Sequence, residues 1–273
     1  MSPPLFCDAM DTAVVTGAGR GIGREAARLL AARGYAVLVT DVDESAARET
    51  AELLGEPAWH MAHDVRDPNQ HRAVAAAAAE RGPLKVWVNN AGVLRTQKTW
   101  EHVDEEVRLL VDVNFNGVLW GSRAAVEAMR ALGGDIVNMA SMSSFGAVPG
   151  LSVYGATKHA VLGFTESLQG DLDDARIPIR THAICPDGVD TGMVREREAD
   201  EDSAIIFSAP RLLQPEEVAQ KIVDVIGERQ PLVIIPRSRG VLVRSLALFP
   251  SVSLRLLPMF KKAGERKRAK AVT

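Results

Sequence analysis

Cysteine and tyrosine are both scarce in this chain of 273 residues, which has two of each. Cys7 and Cys185 are far apart and belong to no metal-binding spacing, so a disulfide framework and a zinc module are both excluded, and two unpaired thiols in a reducing compartment are expected. A formal net charge of -3 gives no overall basis for nucleic-acid binding. The N-terminus MSPPLFCDAMDTAVVTG lacks a basic segment followed by a long apolar run, which argues against a secretory signal and makes the cytoplasm the default location. Residues 241–260 are long enough for a membrane span, but Arg244 and Arg255 interrupt them and Pro250 and Pro258 break them, so two short amphipathic helices are expected instead. There is no internal repeat and no Gly/Ser linker.

The remaining sequence alternates apolar, β-branched runs with helix-length amphipathic segments. The runs are Thr12–Thr16, Ala36–Thr40, Ala58–Ala62, Val86–Asn90, Asp135–Ala140, Ile179–Ile184 and Leu232–Ile235. The intervening helices are expected over Ile22–Arg33, Glu44–Leu54, Pro68–Glu80, Val153–Asp174 and Pro215–Gly227. Continuous rather than alternating apolar strands suit a parallel sheet buried on both faces. The expected fold is therefore α/β: one doubly wound Rossmann domain of about seven parallel strands over residues 1–240, followed by an apolar helical extension with a basic tail over 241–273. The polar stretch 194–208 reads as a mobile surface excursion, and Lys261–Lys270 as a frayed basic end.

The first strand runs into TGAGRGIG at 16–23 and then directly into a helix. Glycines at this junction let the backbone approach a pyrophosphate, which then sits at the helix N-terminus. Gly17, Gly21 and Gly23 supply the tight turn, the close approach and the helix packing, while Gly19 adds freedom. Asp41 ends the second strand, eighteen residues past Gly23, where its carboxylate can accept the adenosine ribose hydroxyls and repel a 2′-phosphate. Arg20 would favour that phosphate. The balance points to NAD, with NADP as the alternative.

Tyr154 and Lys158 stand four apart in SVYGATKHAVLGFTESL, thirteen residues after Ser141. On a helix they share a face. A neighbouring ammonium is expected to lower the phenol from its usual value of about 10 and make it a general acid/base. Taken alone, such a pair is more often a half-buried ring beside a solvated amine.

These motifs together resemble the short-chain dehydrogenase/reductase family: TGAGRGIG, Asp64-Val65, NNAG at 89–92, VNFNG around Asn114, Ser141, Tyr154-Gly-Ala-Thr-Lys158, and PDGVDTGM at 186–193. They occur in order over about residues 12–195. The resemblance implies that Ile22 lies in the cofactor turn, that Asp64 and Val65 hold the adenine, and that Asn90, Ala91 and Gly92 pack along the ribose. It implies that Pro186, Val189 and Thr191 meet the nicotinamide half, and that Asn114 holds a water linking Lys158 to solvent. Ser141 would position the substrate oxygen, and Tyr154 would exchange its proton. Lys158 would also bind the nicotinamide ribose. The expected substrate is a small alcohol or ketone, hydrophobic if Met142, Phe145, Val148, Leu151, Met193, Val194, Ile205, Ile206 and Phe207 line the pocket. A catalytically silent nucleotide-binding protein is the alternative.

The chain departs from the family pattern at Asp187, where Gly is common, and at His182, where Asn is common. Asp187 is expected to be a tolerated turn residue and His182 a core histidine. His60, His63 and Asp64 tempt a metal assignment, but their place at a strand end argues against one. The resemblance also implies a homodimer or homotetramer through the helices containing Asn114 and Tyr154. For residues 241–273 the expected role is packing over the protein's own pocket or a partner subunit, and peripheral contact with an anionic membrane is the alternative.

Overall fold

The computed structural model describes residues 10–271, with side chains to Arg268; Cys7 lies outside the described residues, as does the side chain of Lys270. Seven parallel strands form one sheet in the order β3-β2-β1-β4-β5-β6-β7. They are β1 (Thr12–Thr16), β2 (Ala36–Asp41), β3 (Trp59–Ala62), β4 (Leu84–Asn89), β5 (Gly134–Met139), β6 (Ile179–Pro186) and β7 (Leu232–Ile235). The first half of the chain builds outward from β1 to β3. The chain then returns to place β4 on the other side of β1, with Val14 opposite Trp87. That reversal opens a crevice at the carboxyl ends of β1 and β4.

Helices cover both faces. They are α1 (Gly21–Ala32), α2 (Glu44–Leu54), α3 (Pro68–Arg81), α4 (Asp104–Val111), α5 (Gly117–Met129), α6 (Ser152–Asp174), α7 (Gly192–Arg195), α8 (Pro215–Asp224), α9 (Arg237–Ala247) and α10 (Pro250–Ala271). Local chemistry starts several of them. The Asp43 carboxylate accepts from the Ser45 and Ala46 N–H groups to cap α2, and Asp67 caps α3 ahead of Pro68. The two-residue strand period divides the core: Ala13, Val15, Val37 and Val39 face α1 and α8, whereas Val14, Leu38 and Trp87 face α3 and α5.

The strands and helices legible in the sequence fall within a residue or two of their observed limits, except α8, which ends at Asp224, three residues before the expected Gly227. The end of the chain differs. Lys261–Lys270 does not form a frayed tail but continues α10, which runs unbroken through Pro258. Residues 194–208 are not a loose excursion either. Glu201–Ser208 forms a 3-10 turn with Ser203 and Ala204 buried beneath α10. A Cβ on Gly264 would fall 1.7 Å from the Ala204 carbonyl oxygen, so only glycine allows this approach. Lys267 donates to the Ser208 and Ala209 carbonyls, and Arg268 to those of Glu198 and Asp200. Cations that read as solvated therefore satisfy the carbonyls of this polar segment. No helix among the described residues is long and apolar enough to cross a membrane.

Candidate active site

A cavity of about 550 Å³ lies at the carboxyl ends of the strands. Its lining includes Gly17, Arg20, Gly21, Ile22, Asp41, Asp64, Val65, Asn90, Ala91, Gly92, Ser141, Tyr154, Lys158, Pro186, Val189 and Thr191. Of the catalytic and cofactor-binding residues expected from the sequence, Gly23 and Asn114 lie outside this lining.

At one end the β1–α1 turn supplies an anion cradle. Gly17 and Gly21 have φ values of 61° and 56°, a region that favours glycine. A Cβ on Gly17 would also approach the Ala91 Cα to 2.7 Å. No side chain caps the N-terminus of α1, so its N–H groups and positive dipole end are available to a phosphate. Gly23 serves packing instead, because a Cβ there would meet the Gly17 carbonyl at 2.3 Å. Asn90 Nδ2 donates to the Thr16 and Gly17 carbonyls at 2.9 Å each, tying the end of β4 to the turn. Asn89 belongs to a buried network with Trp87, Ser122 and Asn138.

The Asp41 carboxylate sits at the end of β2, accepting from Gly19 N at 2.9 Å and Asp43 N at 3.1 Å. Arg20 is exposed at the rim. The Asp64 carboxylate is gripped by Arg66, which holds it below the usual carboxylate range. His63, beside it, is a core residue. It hydrogen-bonds Thr40 and packs edge-on against His71, and burial pushes it down to about 3. Among the described residues no three His, Cys, Asp or Glu side chains are arranged to hold a metal ion.

At the other end, Ser141 follows β5 and accepts from Ser143 N at 3.2 Å. Tyr154 and Lys158 project from the first two turns of α6. The Lys158 backbone carbonyl accepts from Ser144 Oγ at 2.8 Å, which pins the helix to the Ser141 turn. The Lys158 ammonium is buried, donates to the Met139 carbonyl at 2.6 Å and lies 5.8 Å from the Tyr154 ring centre. Burial lowers it to about 8. Burial also raises the Tyr154 phenol above its ordinary value, with a hydrogen bond from Ser141 acting in the opposite direction. The expected depression of Tyr154 by Lys158 is therefore not what this geometry produces. The cation is turned toward the end of β5 and is itself disfavoured by burial.

Asn114 is fully buried in a π-helical turn, Asp112–Asn116, between α4 and α5. Its amide accepts from Val93 N at 2.8 Å and donates to Val93 O at 2.9 Å. The side chain thus fixes the loop after β4.

Apolar residues close this end. Met142, Val148, Leu151, Met193, Val194, Ile205 and Ile206 line the cavity, whereas Phe207 packs against the cluster of Leu94, Leu151 and Val194, and Phe145 against the buried cluster that contains Val118, Ala140 and Val161. Residues 241–260 pack over the protein's own pocket, one of the two placements expected from the sequence, although the individual lining residues were not singled out: Leu242, Val243 and Leu246 of α9 with Ser253, Leu257 and Phe260 of α10 form a further wall. The signal was present in the spacing of 253, 257 and 260, one face of a helix. Arg239 was missed as well. Its Nε lies 2.5 Å from Asp187 Oδ2, both are largely buried, and both line the cavity. Asp187 is thus an ion-paired buried acid and not a passive turn residue; burial pushes its carboxyl up and Arg239 pulls it down. His182 is a core residue, bonded to Asp135 and the Gln230 carbonyl.

The family model for short chain dehydrogenases matches residues 11–202. This chain belongs to the short-chain dehydrogenase/reductase family. Its sheet order and helices on both faces are those of a doubly wound α/β fold. It is 34% identical over 222 residues to cyclohexanol dehydrogenase of an Acinetobacter strain, covering 79% of this chain and 87% of that protein. It is 32% identical over 229 residues to 3-beta-hydroxysteroid dehydrogenase of Comamonas testosteroni, covering 81% and 90%. The probable oxidoreductase EphD of Mycobacterium bovis is 33% identical over 241 residues, which are 81% of this chain but only 40% of that longer protein. A crystal structure of a short-chain dehydrogenase/reductase from Burkholderia phymatum in complex with NAD superposes with a TM-score of 0.79 at 29% identity, covering 88% of this chain and 94% of that one.

Proposed function

We propose that this dehydrogenase/reductase interconverts a hydrophobic secondary alcohol and its ketone with NAD. The observation that carries the reading is one continuous cavity. It has an open helix N-terminus and Asp41 at one end, and Ser141, Tyr154 and Lys158 against an apolar wall at the other. Two relatives named for cyclohexanol and a 3-beta-hydroxysteroid, both apolar ring alcohols, support the substrate class. The NAD complex of the Burkholderia protein supports the cofactor.

The β1–α1 turn receives the pyrophosphate and Asp41 the adenosine ribose hydroxyls. Asp64, Val65, Asn90, Ala91 and Gly92 flank the adenosine half, and Pro186, Val189 and Thr191 the nicotinamide half. The cofactor, when bound, supplies or accepts the hydride. Ser141 Oγ donates to the substrate oxygen and orients it. In reduction Tyr154 gives its hydroxyl proton to the carbonyl oxygen as the carbon gains hydride; in oxidation the phenolate takes that proton back. Lys158 lies beside the phenol, and Asn114 positions the loop facing it. The apolar wall keeps water from the reacting carbon and favours an apolar substituent. Assembly through α5 and α6 into a homodimer or homotetramer belongs to the same proposal.

The test is nicotinamide absorbance against a panel of alcohols and ketones graded from polar to apolar, with NAD and with NADP. Turnover should rise with substrate apolarity and favour NAD. Tight NAD binding without turnover of any apolar alcohol or ketone would overturn the proposal.

A further inference from the structure

The α9–α10 hairpin has two different faces. Leu246, Leu257 and Phe260 point into the cavity. On the outside, Val241, Leu248, Phe249, Val252, Leu254 and Met259 are all exposed, Leu248 by 76% and Phe249 by 64%. So many large apolar side chains in nineteen residues form a concentration that solvated proteins rarely carry without a partner. The family match ends at residue 202, ahead of the hairpin.

The charge around this face is one-sided. From Arg237 to Thr273 there are ten basic residues and a single acidic one, Glu265, in a chain whose formal net charge is -3. Some of the cations are engaged within the fold: Arg239 on Asp187, Lys267 and Arg268 on backbone carbonyls, and Lys261 near Asp202. Arg237, Arg244, Arg255, Lys262 and Arg266 are exposed. Arg255 and Lys262 alternate with Val252 and Met259 along one stripe of α10 at three- and four-residue steps. Apolar side chains interleaved with basic ones on a helix too polar to span a bilayer suit the interfacial layer of an anionic membrane. A second copy of the chain suits it less, because a two-fold contact through this face would bring basic residues against basic residues.

We propose that the α9–α10 hairpin is a membrane-docking surface: its outer face rests in the headgroup layer of an anionic bilayer while its inner face roofs the cavity. A lipid-dissolved alcohol or ketone then reaches the pocket beneath the same two helices. That last consequence rests on the proposed hydrophobic substrate; docking does not, and it is measured without turnover.

The experiment is co-sedimentation of the full chain with phosphatidylcholine vesicles, neutral or containing about 30% phosphatidylglycerol. Binding should be at least about tenfold stronger to the anionic vesicles and fall as salt is raised. The double substitution Phe249→Glu/Val252→Glu should abolish it, and Arg255→Glu/Lys262→Glu should reduce it about tenfold or more. All variants should keep wild-type NAD affinity and melting temperature, since these side chains face outward. Absence of wild-type binding to anionic vesicles would overturn the proposal, as would equal binding by the Phe249→Glu/Val252→Glu protein. Self-association lost in that variant, without vesicle binding, would assign the face to a second copy and overturn it equally.

Discussion

The Lys158 ammonium lies 5.8 Å from the centre of the Tyr154 ring and donates its hydrogen bond to the Met139 carbonyl, not to the phenol. A half-buried phenol and a buried ammonium thus share a wall of the cavity, each pushed toward its neutral form: Tyr154 upward from its ordinary value, and Lys158 downward to about 8. A phenol in this state stays protonated at neutral pH, and it becomes a base only when something further favours phenolate.

The chain contains just two tyrosines, so this can be read directly. In a Tyr35→Phe protein the ultraviolet phenolate signal reports Tyr154 alone. Without cofactor, the phenol should ionise above its usual value of about 10, after Lys158 has lost its proton near pH 8. Saturating NAD, whose oxidised nicotinamide ring is cationic, should bring the ionisation down. A cofactor-free Tyr154 that ionises below its usual value would show that Lys158 already controls it.

Asp41 should govern cofactor choice. Its carboxylate lines the cavity while Arg20 is exposed at the rim. In Asp41→Asn the repulsion of a 2′-phosphate is gone and a charged hydrogen-bond acceptor is lost. The ratio of kcat/KM for NAD over NADP should therefore fall by about tenfold or more, that is about 1.4 kcal/mol or more. The amide oxygen can still accept from Gly19 N, so thermal stability should hold. An unchanged ratio would remove Asp41 from cofactor selection.

The Asp187–Arg239 pair joins the end of β6 to α9, with its side chains 10% and 19% exposed. Arg239→Met leaves a buried carboxylate without its partner and should destabilise the protein by about 3 kcal/mol. The carboxylate pKa rises in this variant, so the loss should be greatest at high pH and diminish as the pH falls and Asp187 takes up a proton. Adding Asp187→Gly should restore most of the stability, as a double-mutant cycle by denaturant unfolding would measure. Additive losses would mean that the two side chains do not interact.

The sheet, most of its helices and the cofactor and proton-transfer ends of the cavity lining were legible in the sequence, because strand periodicity and the glycine turn are local signals. The legible part ends where tertiary packing decides. Asp187 looked like a turn substitution until Arg239, fifty-two positions later in the chain, came to rest beside it. Lys267 and Arg268 read as solvated charge because nothing near them in sequence shows that α10 lies over the carbonyls of residues 198–209. The Tyr154–Lys158 spacing correctly places both groups on one face of α6, but spacing carries no information on burial, and burial sets the direction of both titrations.

The central claim is that Tyr154 transfers the proton. The most direct measurement is the turnover of Tyr154→Phe on the best apolar alcohol, followed by nicotinamide absorbance, with NAD affinity measured on the same sample. NAD binding should stay within about twofold of wild type while kcat falls by at least about a hundredfold, the minimum for removing a general acid/base. A rate near that of the wild type would contradict the claim.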